Sequence, residues 1–110
     1  MMRRIYLFDV GEFLIGFVTT SFGQAKMMYL HSDWGSGVAY LDIPPCNISP
    51  IRPKGILDGE LEPKKGLEMG VYDYLMDMEC PICKHEADLY YRNGKMGCRQ
   101  CLGLEDEELN

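Results

Sequence analysis

Hydrophobic positions in the first half of the chain fall in short runs rather than at helical spacing: Ile5-Tyr-Leu-Phe8, Phe13-Leu-Ile-Gly-Phe-Val18, Ala25-Lys-Met-Met-Tyr-Leu30 and Val38-Ala-Tyr-Leu-Asp-Ile43. Each run has strand length, and turns are supplied by Gly11, by Ser21 to Gly23 and by Asp33-Trp34-Gly35-Ser36-Gly37. No apolar stripe persists there for three helical turns. The pattern predicts four or five short antiparallel strands that close into a small β-barrel over residues 1–57.

Five of the six prolines lie between Pro44 and Pro63, among them Pro44-Pro45, Pro50 and Pro53. A proline removes a ladder donor, so this stretch reads as edge strand and linker rather than central strand. Residues 67–79 fit two periods. Val71, Tyr74, Leu75 and Met78 fall at helical spacing, whereas Tyr72, Tyr74, Met76 and Met78 alternate as in a strand. Both readings stay open, and in either one Asp73, Asp77 and Glu79 keep part of the segment in water.

Charge divides the chain in a similar way: residues 1–57 carry +1, 58–79 carry −5, 80–104 carry +2 and 105–110 carry −4. The expected organisation is a mainly β protein with a barrel domain at 1–57, an acidic Pro- and Gly-containing linker at 58–78, a third unit at 79–104 and an acidic tail at 105–110. The barrel would be SH3-like or OB-like. Asp9-Val-Gly11-Glu-Phe-Leu-Ile-Gly16-Phe-Val18 followed by Phe22-Gly23 resembles the opening strands of S1-type OB domains. Glycines at barrel bends and tight turns account for the same residues without that kinship.

The chemistry is concentrated in Cys80-Pro-Ile-Cys83 and Cys98-Arg-Gln-Cys101, a C-x2-C, x14, C-x2-C arrangement. The separation is just below the about 15 to 20 residues common in zinc sites. Two cysteines with two residues between them can turn back and offer both sulfurs to one cation, and two such turns complete a tetrahedral thiolate shell. A closed shell leaves no position for water. The expected cofactor is therefore one structural Zn2+, with an iron centre or a thiol-redox pair as the competing chemistries.

Between the cysteine pairs, Asn93-Gly94 is flanked by strand-like residues and marks a two-residue hairpin turn. That turn pairs Arg92 with Lys95, Tyr91 with Met96, Tyr90 with Gly97 and Leu89 with Cys98. Alternation then puts Leu89, Tyr91, Met96 and Cys98 on one side, covering metal and core, and Tyr90, Arg92, Lys95 and Arg99 on the other. A turn, a hairpin and a second turn in this order resemble the zinc-ribbon superfamily over residues 79–104, including small bacterial and phage proteins of uncharacterised role. In particular, Cys98-Arg-Gln-Cys101-Leu-Gly-Leu104 is similar to the second knuckle of bacterial ribbons. The resemblance implies Cys80, Cys83, Cys98 and Cys101 as ligands, and leaves function to the exposed face.

That face combines one ring, Tyr90, with the cations Arg92, Lys95 and Arg99. It suits base stacking with a few phosphates, a protein contact, or an ordinary solvated hairpin. Trp34 in its turn either marks a binding site or folds back to cap the barrel. Among the other candidates, Cys46 reads as a small packed residue and His85 as a surface residue. His31 has no nucleophile or second metal-spaced histidine to make it catalytic, and Met27, Met28, Met76 and Met78 read as core filler.

Length and charge narrow the function classes. A chain of 110 residues holds one modest core or two very small ones, which excludes a large catalytic architecture. A net charge of −6, made more negative by four thiolates around a zinc, has the wrong sign for coating a phosphate backbone. Asp9 and Glu12 interrupt the apolar start, and no small-residue cleavage site follows, so Ile5–Val18 reads as strand rather than secretory signal. No run reaches the roughly 18 apolar residues of a membrane span. Paired cysteines at metal spacing fit a reducing compartment, and the cytoplasm is expected.

The expected function is a non-enzymatic zinc-binding interaction module. It would act as an adaptor or regulator in nucleic-acid machinery, mainly through a protein partner, with nucleic acid contacted only locally and weakly. One alternative is a small acidic phage or mobile-element effector that occupies a basic nucleic-acid-binding site on a host protein. The other is an accessory subunit of a nucleic-acid enzyme.

Overall fold

In the computed structural model, which describes residues 2–104, the first two apolar runs form the strands Arg4–Asp9 (β1) and Leu14–Thr19 (β2). They pair antiparallel, setting Tyr6 opposite Phe17 and Phe8 opposite Ile15. Because side chains alternate, these four share one face. The face is covered by a helix rather than by further strands.

Ala25–Leu30, expected as a strand, belongs to the α-helix Phe22–His31 (α1). Ser21 caps it, its hydroxyl accepting from the Gln24 N–H at 3.2 Å. Ala25 and Tyr29, one turn apart, are its buried residues. They pack on Tyr6, Phe8, Ile15 and Phe17. Phe8 stacks on Tyr29 at 4.9 Å between ring centres and meets Phe17 edge-on at 5.6 Å. Phe22 and Met27 stay exposed. With so few positions facing inward, the helix carries no broad apolar stripe, and its apolar run imitates a strand.

Val38–Ile43, also expected as a strand, pairs with no strand among the described residues. The 3-10 turn Tyr40–Asp42 lies in this stretch, and another, Asp33–Gly35, precedes it. Its backbone groups are used locally: Gly35 N–H donates to Ser32 O at 3.2 Å, Val38 N–H to Gly35 O at 3.0 Å and Asp42 N–H to Ala39 O at 2.9 Å. A strand would have offered these groups to a neighbour. The first turn lies so close to the end of α1 that a Cβ at Gly35 would stand 2.1 Å from the Tyr29 carbonyl oxygen. Backbone cannot swing aside as a side chain can. Gly35→Ala is expected to destabilise the unit by about 1–3 kcal/mol, lowering the urea midpoint read from the neighbouring Trp34; an unchanged midpoint would refute the close approach.

Cys46–Ile48 (β3) pairs with β1, and Gly59–Glu60 (β4) pairs with β2. The sheet order is β3-β1-β2-β4, so the proline-rich stretch supplies both edge strands. The expected SH3-like or OB-like closure does not occur: among the described residues this sheet is open, with a single helix on one face. Two of the segments counted as strands are helix and turns, leaving too few long strands to bring the edges together.

The chain divides into two compact units, Met1–Glu62 and Pro63–Asn110. The second begins with the helix Pro63–Met69 (α2), with proline at its first position and Gly70 at φ 84 just past its end. Leu75–Glu79 (β5), Glu86–Arg92 (β6) and Lys95–Cys98 (β7) follow and form an antiparallel sheet in the order β5-β6-β7. The ambiguous residues 67–79 are thus helix at their start and strand at their end. Asn93 and Gly94 both take positive φ, 52 and 79, as a type I′ turn requires. The β6–β7 register is the one the sequence predicts: Leu89 with Cys98, Tyr90 with Gly97, Tyr91 with Met96 and Arg92 with Lys95. The described residues are mainly β, with two sheets and two α-helices. No helix among the described residues is long and apolar enough to cross a membrane.

Candidate metal centre

Two tight turns and the strands that lead into them build the site. Cys80 directly follows β5, and Cys83 lies in the turn before β6; Cys98 ends β7, and Cys101 lies in the turn beyond it. The two turns repeat one hydrogen-bond pattern. Lys84 N–H donates to Cys80 O at 2.9 Å, and Leu102 N–H donates to Cys98 O at 3.0 Å. Each reverses through a left-handed residue, Lys84 at φ 65 and Gly103 at φ 70. In the first turn, Cys80 N–H also donates to His85 O at 2.9 Å.

The four sulfurs lie within 4.8 Å of one another. Cys80 and Cys101 Sγ are 3.9 Å apart, and Cys83 and Cys98 Sγ are 3.8 Å apart. A disulfide would require about 2.05 Å. Sulfurs about 2.3 Å from a central zinc define a tetrahedron with edges of about 3.8 Å. The four sulfurs form a candidate metal site. No family model, curated protein or solved structure matches the chain. The donor set and its geometry therefore carry the assignment.

Electrostatics fit the same use. Cys80 and Cys98 are buried, and Cys83 and Cys101 are half-buried. Burial raises the Cys80 thiol, but backbone donors outweigh it and hold this sulfur below the usual cysteine range. Among those donors are Cys98 N–H at 3.3 Å and Ile82 N–H at 3.4 Å. Cys101 is pushed up, first by its contact with Cys98 and then by burial. Sulfurs this close oppose one another's ionisation, and a divalent cation reverses that opposition for all four.

Leu89, Tyr91, Met96 and Cys98 face the site together, as the alternation predicts, and Leu67 of α2 joins Cys80, Leu89 and Cys98 in the surrounding cluster. Opposite them lie the residues expected on the exposed face. Arg99 donates to Tyr90 Oη at 3.0 Å, with its guanidinium 5.2 Å from the ring centre, and the Arg92 guanidinium is 6.0 Å from that ring. Arg92 and Lys95 are exposed.

Two features of this face escape the sequence reading. Tyr74 stacks on Tyr90 at 5.9 Å and 28°; the pairing of Leu75 with Leu89 sets these neighbours side by side. Gly97 sits beneath the knuckle side chains, where a Cβ would stand 2.9 Å from Ile82 Cδ1. The glycine opposite Tyr90 in the register was the available signal.

Trp34 belongs to the Met1–Glu62 unit. It is 48% exposed and meets Phe13 edge-on at 5.1 Å, so it is neither a bare indole nor a buried cap. His85 and His31 are exposed. The acidic residues Glu105 to Glu108 lie outside the described residues.

Cys46 packs against the Met1–Glu62 core. Burial pushes its thiol up to about 11 against an opposing pull from Lys26. A raised pKa keeps the thiol protonated below that value, and the thiolate is the nucleophile. At pH 8, alkylation of Cys46 by iodoacetamide, followed by mass spectrometry of its peptide, is expected to run roughly a hundredfold slower than for an unhindered cysteine. The rate should climb until about pH 11. Rapid labelling at pH 8 would show a reactive thiol instead.

Proposed function

We propose that the chain is a non-enzymatic zinc-binding interaction module, an adaptor or regulator of nucleic-acid machinery in the cytoplasm that works mainly by gripping a protein partner. The observation behind this reading is the cluster of four sulfurs, all within 4.8 Å of one another and with two separations of 3.8 and 3.9 Å. Soft thiolates and tetrahedral geometry suit Zn2+, and four protein ligands use every position a catalytic water would need. Cys80, Cys83, Cys98 and Cys101 would hold the ion. It supplies rigidity by fixing both ends of the β6–β7 hairpin, as in a zinc ribbon.

Rigidity is useful to a binding face because it reduces the ordering cost of association. Tyr90 is flanked by Tyr74 and Arg99, so its ring is already held in place. Arg and Tyr are favoured anchors in protein contacts, and a ring so flanked has less face left for stacking a base. Arg92 and Lys95 add exposed charge that steers an acidic partner. Charge reversal at Arg92, Lys95 and Arg99 is expected to weaken partner capture from native lysate about tenfold or more. Zinc content should stay the same. Capture should persist after nuclease treatment; unchanged capture by the variant, or capture abolished by nuclease, overturns the reading.

A further inference from the structure

A single helix covers one face of the first sheet and leaves part of it bare. A helix is about 10–12 Å across and strands stand about 4.8 Å apart, so α1 spans roughly two strands. It packs on Tyr6, Phe8, Ile15 and Phe17 of β1 and β2. Glu60 of β4 pairs with Phe17 and stands on the same face, beyond the helix.

Between α1 and β4 the surface opens into a groove of about 800 Å³. Met27 and Met28 give it an apolar side, buried Phe17 lies at its base, and Asp33, Asp58 and Glu60 line it with carboxylates beside His31. Among the described residues, no Lys or Arg lines it. Arg3 binds Asp58 at 2.5 Å, whereas Asp33 and Glu60 make no ion pair among the described residues. Met27 is 47% exposed.

We propose that this groove docks a cationic amphipathic peptide segment of a partner protein, its apolar side chains on Met27 and Met28 and its Lys or Arg side chains against Asp33 and Glu60. Unbranched methionines adapt to varied aliphatic side chains. Asp33 and Glu60, which make no ion pair among the described residues, attract ammonium or guanidinium groups and repel phosphate, which selects a basic peptide over a nucleic-acid strand. The groove belongs to Met1–Glu62 and does not rest on the metal or the hairpin face.

The test uses the full metal-loaded chain and a fluorescein-labelled dodecapeptide of alternating Lys and Leu, with the Glu and Leu counterpart as control, followed by fluorescence anisotropy. Saturable binding of the Lys peptide is expected, about tenfold tighter than the Glu peptide. Asp33→Lys with Glu60→Lys should weaken it about tenfold, and Met27→Asp by a similar factor. Glu12→Lys with Asp42→Lys changes the net charge equally away from the groove, and should leave affinity within about twofold.

Equal losses in the two double variants would reduce the effect to net charge and overturn the proposal. So would equal affinity for both peptides, absence of saturable binding, or a groove-dependent dimer of this chain in sedimentation velocity. A chain without zinc, or with a silent hairpin face, would leave the groove result standing.

Discussion

Chelation of the reduced, zinc-loaded protein is expected to collapse the β5–β6–β7 sheet while the β1–β2 amides keep their dispersion. Three features of the second unit set the size of the effect. Its described part, residues 63–104, is near the length at which a domain needs a metal or disulfide to fold at all. Cys80 and Cys98 are themselves half of its buried cluster, beside Leu67 and Leu89. Ligand thiolates stripped of a cation would repel across 3.8 to 3.9 Å in that cluster, or would have to take up protons.

Binding free energy at such sites is folding free energy, on the order of 10 kcal/mol at neutral pH, which exceeds what so small an apolar cluster supplies. Excess chelator should release one zinc per chain, and amide signals from residues 75–98 should lose dispersion in the same titration. Cys98→Ser should give the same spectrum without chelator. Native dispersion of those amides after complete metal removal would show that the sulfurs merely pack.

The parts of this unit that were legible in the sequence share a local cause. Asn93-Gly94 fixes a two-residue turn through two positive φ values, and the side-chain alternation of every hairpin residue follows from it. The cysteine spacing is equally local, because each knuckle needs just two intervening residues to bring its sulfurs together. Tyr74 was not legible as part of the exposed face, since its place beside Tyr90 depends on how β5 meets β6, across a bulge at Asp77 with φ 49.

The first unit misled for a different reason. Its helix α1 sends in Ala25 and Tyr29 and leaves Phe22 and Met27 in water, so hydrophobicity runs along the segment instead of around it. The readable sign was polar: Ser21-Phe-Gly-Gln24 has the spacing of a helix N-terminus. Leu41, at 95% exposure, added an apolar residue to a turn where burial had been expected. Hydrophobic runs report burial well only when a partner surface exists, and the inner face of β1 and β2 has already been covered by α1.

That cover makes Phe8 a sensitive position in the first unit. Its ring is 0% exposed and touches the helix through Tyr29 and the sheet through Phe17, so it links the two layers. Phe8→Ala removes both ring contacts and leaves a cavity between layers that each rely on the other, at a cost of about 3–5 kcal/mol. A domain of this size has total stability toward the low end of about 5–15 kcal/mol. The variant should therefore sit near its unfolding midpoint at room temperature, read by loss of the Trp34 near-ultraviolet signal and of β1–β2 amide protection.

Phe22→Ala is the matched control. Phe22 also meets an aromatic ring, Tyr6, at 4.8 Å, yet it is 41% exposed and borders water rather than a second layer. Its loss should cost about 1 kcal/mol or less. Zinc content is expected to be the same, one per chain, in both variants, because the four candidate ligand cysteines lie between residues 80 and 101. Equal destabilisation by the two substitutions would mean that α1 does not seal Phe8 from solvent, and the helix-on-sheet packing that also defines the groove beside β4 would fall with it.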